Sequence, residues 1–121
     1  MDRVLIVNGN EDESTLIAEG LLRAGIHSLV VTSALEARVA LNKERFRLAL
    51  VNLELRDLDA FGFIDTAREA LGGTPTILTT AFPDTQTVAR AASHGFQSVI
   101  AKPFQISLLI QRIQSLTSEN L

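Results

Sequence analysis

Five short apolar runs alternate with amphipathic stretches along the chain, and this alternation constrains the fold more than any other feature. The runs comprise residues 4–7, 29–31, 48–53, 76–79 and 99–101, and most are rich in Val, Ile and Leu. Continuous apolar runs of this length are typical of strands that are covered on both faces. The alternation therefore predicts a parallel sheet with helices on both sides.

The stretches between the runs carry helix start and stop signals. Asn10 with Glu13, and Ser33 with Glu36, have the spacing of a capping box, and Asp84 opens a fourth helix. A third helix is predicted from about Phe61. The residues predicted to face inward recur at helical spacing: Ile17, Leu21 and Ala24; Ala34, Ala37 and Leu41; Phe63, Ala67 and Ala70; Val88 and Ala92; and Ile106, Leu109, Ile110, Ile113 and Leu116.

A chain of 121 residues with this pattern is expected to form a single domain over residues 1–121. The predicted architecture is α/β: a flavodoxin-like, three-layer (βα)5 fold with a five-stranded parallel sheet in the order 2-1-3-4-5. In such folds function lies at the carboxyl ends of the strands. Asn8, Asn52, Thr80 and Lys102 stand at the ends of four of the runs, so we expect them to converge on one edge.

Composition argues against several classes of function. The net charge of -3 gives no electrostatic reason to expect direct contact with nucleic acid or an anionic membrane. The chain has no cysteine, which excludes disulfides and thiolate metal sites. The first apolar run is too short for a signal peptide or a membrane span. We therefore expect a cytoplasmic protein.

Four segments stand at the predicted strand ends: VLIVNGNED, LALVNLELRDLDAFGF, PTILTTA and AKPF. A small hydroxyl residue followed by Ala, with Lys-Pro-Phe after the next run, is a specific pairing at such positions. On these segments the chain resembles, over essentially its whole length, the receiver domain of two-component response regulators. The resemblance implies the receiver fold, and it implies a role in phosphorelay signal transduction.

In that family an acidic pair and an Asp hold Mg²⁺, the Asp is phosphorylated, and a hydroxyl residue and a Lys grip the phosphoryl group. The resemblance places the acidic pair at Asn8 and Gly9 and the phosphoacceptor at Asn52. It places the hydroxyl residue at Thr80 and the lysine at Lys102. All three carboxylates are thus replaced, while the two phosphoryl-binding residues are retained.

Two further positions bear on the resemblance. Pro103 is implied to follow a cis peptide bond, which proline permits at modest cost. The aromatic position that moves in family switching falls on Val99, which has neither a ring nor a hydroxyl. The loop after the third run reads RDLDA at residues 56–60, where the family usually has Pro and then Asp-Gly.

The replaced carboxylates predict the loss of phosphorylation chemistry. An amide oxygen is neutral and a poor nucleophile, whereas a carboxylate oxygen is anionic. Mg²⁺ usually requires one or two carboxylates, and phosphoryl transfer depends on the metal for charge neutralisation. We therefore expect no metal, no cofactor, no catalytic residue and no enzymatic activity. The predicted function is that of a degenerate receiver, a phosphorylation-independent module that acts through protein–protein contact.

Two other functions remain open from the sequence. The edge lined by Asn8, Asn52, Thr80 and Lys102 could bind an anion or a neutral metabolite, which would make the chain a small-molecule sensor. The third reading is an active receiver with a non-standard acceptor; it ranks last because no spare carboxylate stands at a strand end.

The expected partner is a protein or a second copy, as in a homodimer, bound through the surface of the fourth helix, fifth strand and fifth helix. On the fifth helix Leu108 falls off the main apolar stripe, and Gln111, Gln114 and Ser115 form an uncharged neighbouring face. A face with little charge is compatible with protein contact.

Several polar residues also have structural interpretations. Lys102 is expected to pair with Glu54, Asp57 or the carbonyl oxygen of Asn52, and the Thr80 hydroxyl is expected to form a hydrogen bond with nearby backbone. Asp57 and Asp59 share a loop and are expected to be solvated rather than to bind a metal. His27 and His94 are expected at the surface or at helix ends, and Asn8-Gly9 is interpreted as a turn.

Overall fold

The computed structural model describes residues 2–117, in which five strands alternate with five helices. The strands are β1 Arg3–Val7, β2 Ser28–Val31, β3 Phe46–Asn52, β4 Thr76–Thr80 and β5 Ser98–Ala101. The helices are α1 Glu11–Arg23, α2 Ala34–Lys43, α3 Ala60–Leu71, α4 Thr85–Ser93 and α5 Ile106–Thr117. All strand pairs are parallel and their order is β2-β1-β3-β4-β5, which confirms the predicted fold and topology.

The sheet is covered on both faces, and the alternation of side chains along β1 shows how. Leu5 and Val7 belong to one buried cluster, which includes residues of α2 and α3. Val4 and Ile6 belong to a second cluster, which includes residues of α1 and α5. All four side chains are fully buried. A central strand buried on both sides explains why its sequence is continuously apolar.

Capping residues set the helix starts close to the predicted positions. The side chains of Asn10, Ser33 and Asp84 accept hydrogen bonds from backbone N–H groups three residues later. Helix α3 begins at Ala60, one residue before the predicted start, because the Asp59 carboxylate accepts a hydrogen bond from the N–H of Gly62. Strand β4 extends to Thr80, which the sequence placed just after the strand.

The inward faces of α2, α3 and α5 are as predicted, but two details differ. Ala24 is the exposed C-cap of α1 and does not face the core. In α4 the buried residue is Ala91, whereas Val88 and Ala92 are exposed. A helix of nine residues with one small buried residue has a weak apolar period, and adjacent positions are about 100° apart around the axis. The predicted face of α4 was therefore wrong by one position.

Helix α1 packs closely on the start of α5 because residue 20 is a glycine. A Cβ atom added to Gly20 would lie 2.6 Å from Cγ1 of Ile106, closer than real Cβ contacts allow. Gly20 is buried and Ile106 packs against the same core cluster. The two helices therefore meet at a distance that only glycine permits.

Candidate functional site

The carboxyl edge of the sheet brings together the four polar residues that the sequence predicted there. Asn8 directly follows β1, Asn52 and Thr80 are the last residues of β3 and β4, and Lys102 directly follows β5. The Lys102 Nζ donates a hydrogen bond of 2.8 Å to Asn52 Oδ1. This contact joins the ends of β3 and β5 across β4, and it was one of the pairings predicted for Lys102.

Glu13, in the first turn of α1, completes this arrangement, and the sequence did not predict it at the site. The Lys102 Nζ lies 3.1 Å and 3.2 Å from the two carboxylate oxygens of Glu13. Asn8 Nδ2 donates a hydrogen bond of 2.6 Å to the same carboxylate. Glu13 is therefore the ionic partner of Lys102, and neither Glu54 nor Asp57 takes that place.

The capping box predicted for α1 forms only in part, which explains why the Glu13 carboxylate is available. Asn10 Oδ1 accepts a hydrogen bond from the Glu13 N–H, as predicted. In a full capping box the Glu13 carboxylate would accept a hydrogen bond from the Asn10 N–H, but that N–H donates instead to Asn8 Oδ1 at 2.9 Å. Asn8 thus replaces Glu13 at the cap, and the Glu13 carboxylate reaches Lys102.

Both polar atoms of the Asn52 side-chain amide form hydrogen bonds. Its Nδ2 donates to the carbonyl oxygen of Glu54 at 2.9 Å. Its Oδ1 accepts from Lys102 Nζ and also from the Thr79 hydroxyl at 3.2 Å. Asn8 and Asn52 are both buried, so these bonds satisfy groups that would otherwise be costly to remove from water. We refer to Asn8, Glu13, Asn52, Thr79 and Lys102 as the edge cluster.

Thr80 and Pro103 lie beside the edge cluster. The Thr80 side chain is buried, and its hydroxyl oxygen accepts a hydrogen bond of 3.1 Å from the Phe82 N–H. The Lys102 N–H donates to the Thr80 carbonyl oxygen at 2.9 Å. The Lys102–Pro103 peptide bond is cis, as the resemblance implied. The backbone bond predicted for the Thr80 hydroxyl is therefore present.

Gly9 lies in a bend after β1, beneath the side chain of Arg56. A Cβ added to Gly9 would lie 3.3 Å from Arg56 Cγ. The Arg56 guanidinium forms an exposed ion pair of 3.4 Å with Glu11. Arg56 therefore occupies space next to a position that is acidic in the receiver family.

Asp57 and Asp59 both cap helices, which differs from the prediction that they are simply solvated. The Asp57 carboxylate accepts hydrogen bonds from the N–H groups of Ala34 and Leu35, at 2.8 Å and 3.1 Å, at the start of α2. The Ala34 bond is the main reason why the pKa of Asp57 lies below its ordinary value. Asp59 caps α3. Each carboxylate is thus committed to a helix N-terminus.

The two histidines lie at positions of the predicted kind. His27 is exposed and precedes β2, and His94 is the C-cap of α4. His94 Nδ1 lies 3.1 Å from Asp65 Oδ1, and its ring centroid lies 5.0 Å from that of Phe61. These contacts join α4 to α3 and lie apart from the edge cluster.

The donor atoms at this edge do not fit the Mg²⁺ ion that the receiver family uses. Asn8 and Asn52 offer neutral oxygens that already accept hydrogen bonds, and Gly9 offers no side chain. The Lys102 ammonium lies against Asn52, where it would repel a second cation. Across residues 2–117, no group of three or more acidic or histidine side chains is arranged to hold a metal ion.

Two cavities border the edge cluster, and the larger one, of about 280 Å³, has a lining that includes Glu13, Lys102 and Pro103. The cavity lined by Asn52, Thr80, Phe82 and Lys102 has a volume of about 80 Å³. A larger, open groove of about 410 Å³ lies between α4 and α5, over β5, and its lining includes Val88, Ala92, Val99, Ala101 and Arg112. The groove is therefore larger than either cavity beside the edge cluster.

Among residues 2–117, no helix combines the length and the apolar character that crossing a bilayer requires.

Comparison with known proteins gives consistent results. The sequence model of the response regulator receiver domain matches residues 4–114. The transcriptional regulatory protein PcoR of Escherichia coli is 23% identical over 116 residues, which cover 96% of this chain and 51% of PcoR. The chain spans about half the length of the curated relatives it matches.

Solved structures with the same fold are similar over nearly the whole chain. A two-component response regulator from Clostridium difficile superposes with a TM-score of 0.90 at 19% identity, covering 96% of this chain and 95% of that one. The beryllofluoride-activated NtrC4 receiver domain, solved as a dimer, superposes with a TM-score of 0.89 at 23% identity, with 97% of each chain covered.

Proposed function

The chain belongs to the response regulator receiver domain family, and from that premise we propose that it signals without aspartyl phosphorylation. As a receiver domain it is a signalling module of two-component systems and not an enzyme. The proposal adds that residues 1–121 act as one domain in the cytoplasm. Its output is contact with a protein partner or with a second copy of the chain.

The edge cluster is the observation that carries this proposal. The phosphoacceptor position is Asn52, whose amide atoms are all hydrogen-bonded, and the acidic-pair positions are Asn8 and Gly9. Lys102, which would grip a phosphoryl group in the family, is neutralised by Glu13. A neutral amide that already accepts two hydrogen bonds offers no anionic nucleophile for phosphorus.

The α4–β5–α5 groove supports protein contact as the output. Val88 is 44% exposed, and Ala92 and Ala101 are also exposed. Among the described residues that line the groove, Arg112 is the charged one, and it donates a hydrogen bond to Ser98 on β5. An open, weakly charged and largely apolar surface fits a protein partner better than a small polar ligand.

Details of α5 refine this surface. Leu108, which the sequence assigned to the partner face, is half-buried and packs against the core. Gln111, Gln114 and Ser115 are exposed, as that interpretation requires. Val99, at the position of the family's aromatic switch, is half-buried and lines the groove. The proposed contact therefore centres on α4 and β5, with the exposed polar side of α5 at its border.

A phosphorylation assay tests the first part of the proposal. The chain is incubated with acetyl phosphate and Mg²⁺, and its intact mass is measured beside an active receiver treated in the same way. We expect no mass gain for this chain and a phosphoryl mass gain for the control. A stoichiometric gain that is stable in acid and labile in base would overturn the proposal.

A charge placed in the groove tests the second part. We expect Val88→Glu to weaken self-association in sedimentation experiments, or binding to a partner obtained by pull-down, by about tenfold or more. The matched control is Leu22→Glu, at an exposed apolar residue of α1 that is not in the lining of the groove. Equal effects of the two substitutions would contradict the assignment of the interface to the groove.

The two other functions have less support. A sensor that uses the edge would need to displace Lys102 from Glu13 and Asn52, because these contacts occupy the donor that a ligand would use. A receiver with a non-standard acceptor would need a free carboxylate, yet that of Glu13 is bound by Lys102 and Asn8.

A further inference from the structure

The edge cluster contains an oxyanion-binding arrangement whose ligand comes from the chain itself. Lys102 Nζ approaches both oxygens of the Glu13 carboxylate, and Asn8 Nδ2 donates to one of them. The two donors come from the ends of β5 and β1, and the carboxylate comes from α1. Three separate elements thus converge on one anion.

The arrangement is sheltered enough for its contacts to be specific. The side chains of Lys102 and Glu13 are 22% and 30% exposed, and Asn8 is 2% exposed. Bonds from an ammonium or an amide to a carboxylate are charge-assisted and stronger than neutral ones. The Glu13 N–H donates to Asn10 Oδ1, which holds the Glu13 backbone in the first turn of α1, within reach of both donors.

We propose that Glu13 is a built-in oxyanion ligand, which occupies the site formed by Lys102 and Asn8 and closes it to phosphate and other small oxyanions. This inference rests on the proposed function, since it explains how a retained lysine is kept out of phosphoryl chemistry. A tethered ligand has an effective concentration of about millimolar or higher. External oxyanions at ordinary concentrations therefore compete poorly for the same donors.

Chemical rescue tests this inference. Glu13→Ala removes the CH2-carboxylate portion of the side chain and leaves a space that acetate matches in size and charge. We expect 100 mM sodium acetate to raise the Tm of E13A by about 3 °C relative to sodium chloride at equal ionic strength. Inorganic phosphate, a larger probe of the same chemistry, is expected to act in the same direction.

Three variants serve as controls for the rescue. The wild type and Glu19→Ala, an exposed glutamate of the same helix, should show no difference between acetate and chloride. The double variant E13A/K102M lacks the cationic donor and should lose the acetate response. The side-chain amide signals of Asn8 in an NMR titration of E13A provide a second readout, because acetate is expected to accept the hydrogen bond from Asn8 Nδ2.

The inference is overturned if folded E13A responds equally to acetate and chloride, or if E13A/K102M responds as E13A does. Should E13A fail to fold, Glu13→Ser leaves the place of the carboxylate empty, and formate is the anion that matches it in size and charge. A response of E13S to sodium formate that Lys102→Met abolishes would then support the inference, and no such response would refute it. Phosphorylation of the wild type would contradict the proposed function, whereas the acetate experiments test only the role of Glu13. A failure of one proposal can therefore be told apart from a failure of the other.

Discussion

The two halves of the carboxyl edge differ in how they depart from the receiver pattern. The resemblance assigns the family's acidic positions to Asn8, Gly9 and Asn52 at the ends of β1 and β3, and none of these residues carries a carboxylate. It assigns the family's hydroxyl residue and lysine to Thr80 and Lys102 at the ends of β4 and β5, where both residue types are present. In the receiver family the first half supplies negative charge and the second half supplies hydrogen-bond donors. This chain lacks the residues of the first kind (the replaced half) and has those of the second kind (the retained half).

The hydrogen bonds of the two halves suggest why one half could be kept without phosphorylation. Thr80 accepts a hydrogen bond from the Phe82 N–H, and Lys102 donates hydrogen bonds to Asn52 and Glu13. Both residues therefore stabilise the local structure. The amides in the replaced half are also integrated, since Asn8 binds Asn10 and Asn52 binds Glu54. Retention of a family residue in this chain therefore has a structural explanation that is independent of phosphate.

The largest expected effect comes from restoring the replaced half. We expect Asn52→Asp alone to give no Mg²⁺-dependent phosphorylation, because positions 8 and 9 still lack acids for the metal. The triple variant N8D/G9D/N52D is expected to show a Mg²⁺-dependent mass gain with acetyl phosphate. The Arg56 side chain must move for this, since its Cγ lies 3.3 Å from the Cβ position of residue 9.

The control for this experiment is the triple variant without Mg²⁺, which should remain unmodified. Robust phosphorylation of Asn52→Asp alone would show that acids at positions 8 and 9 are not needed to hold Mg²⁺. It would also mean that the two halves of the edge do not differ in the way described.

The next effect concerns stability in the replaced half. Asn8→Ala deletes the acceptor of the Asn10 N–H and the donor to Glu13 at a buried site. We expect the free energy of unfolding to fall by about 2 kcal/mol, measured by urea denaturation. Asn42→Ala, at an exposed position of α2, is the matched control and should change it by less than about 0.5 kcal/mol. If the two variants lose the same free energy of unfolding, the hydrogen bonds of Asn8 do not stabilise the fold.

A smaller effect is expected in the retained half. Thr80→Val keeps the side-chain shape but removes the acceptor of the Phe82 N–H, and we expect a loss of about 1 kcal/mol in the free energy of unfolding. The control is Thr85→Val in the exposed first turn of α4. If Thr80→Val leaves the free energy of unfolding unchanged in denaturant experiments, the hydroxyl does not stabilise the fold. Its presence in the chain would then have a different explanation.

The smallest effect lies in the loop after β3, where the sequence departs from the family pattern. The pKa of Asp57 is lowered from its ordinary value of 3.8, so its contribution to stability is present above that value and is lost as the pH falls through the lower folded-state pKa. We expect Asp57→Asn to cost about 0.5–1 kcal/mol at pH 7.

The difference between wild type and Asp57→Asn should shrink to zero in strong acid, as followed by thermal unfolding at several pH values. Glu69→Gln, at an exposed position of α3, serves as the control and should be nearly neutral throughout. A penalty for Asp57→Asn that stays constant into acid would show that the Asp57 charge does not stabilise the N-terminus of α2.

The fold and four of the site positions could be predicted because they depend on local pattern and on parallel topology. Apolar runs predict buried strands, and strand ends in a parallel sheet share one edge, so the sequence placed Asn8, Asn52, Thr80 and Lys102 at the edge where they lie. The role of Glu13 was missed because its partner Lys102 is 89 positions away in sequence. Its spacing from Asn10 gave a sufficient local explanation as a capping residue.

The contacting face of α4 illustrates another limit of sequence patterns. Val88, Ala91 and Ala92 all suit an inward position, and tertiary packing selected Ala91. Likewise, the loop acids Asp57 and Asp59 have no periodicity that would indicate which helix each one caps. Asp57 in particular caps a helix that lies before it in the chain, which spacing alone does not reveal.

The close packing of Gly20 against Ile106 has a mechanical consequence for signalling. Because the Ile106 side chain of α5 lies directly against the backbone of α1 there, a shift of α5 toward α1 presses on α1 with little space to absorb it. Helix α1 carries Glu13, and α5 carries Arg112 at the groove. A protein that tilts α5 on docking would therefore pull on the Glu13–Lys102 pair from behind, so strain could pass from the groove to the edge in the opposite direction to a phosphorylation signal.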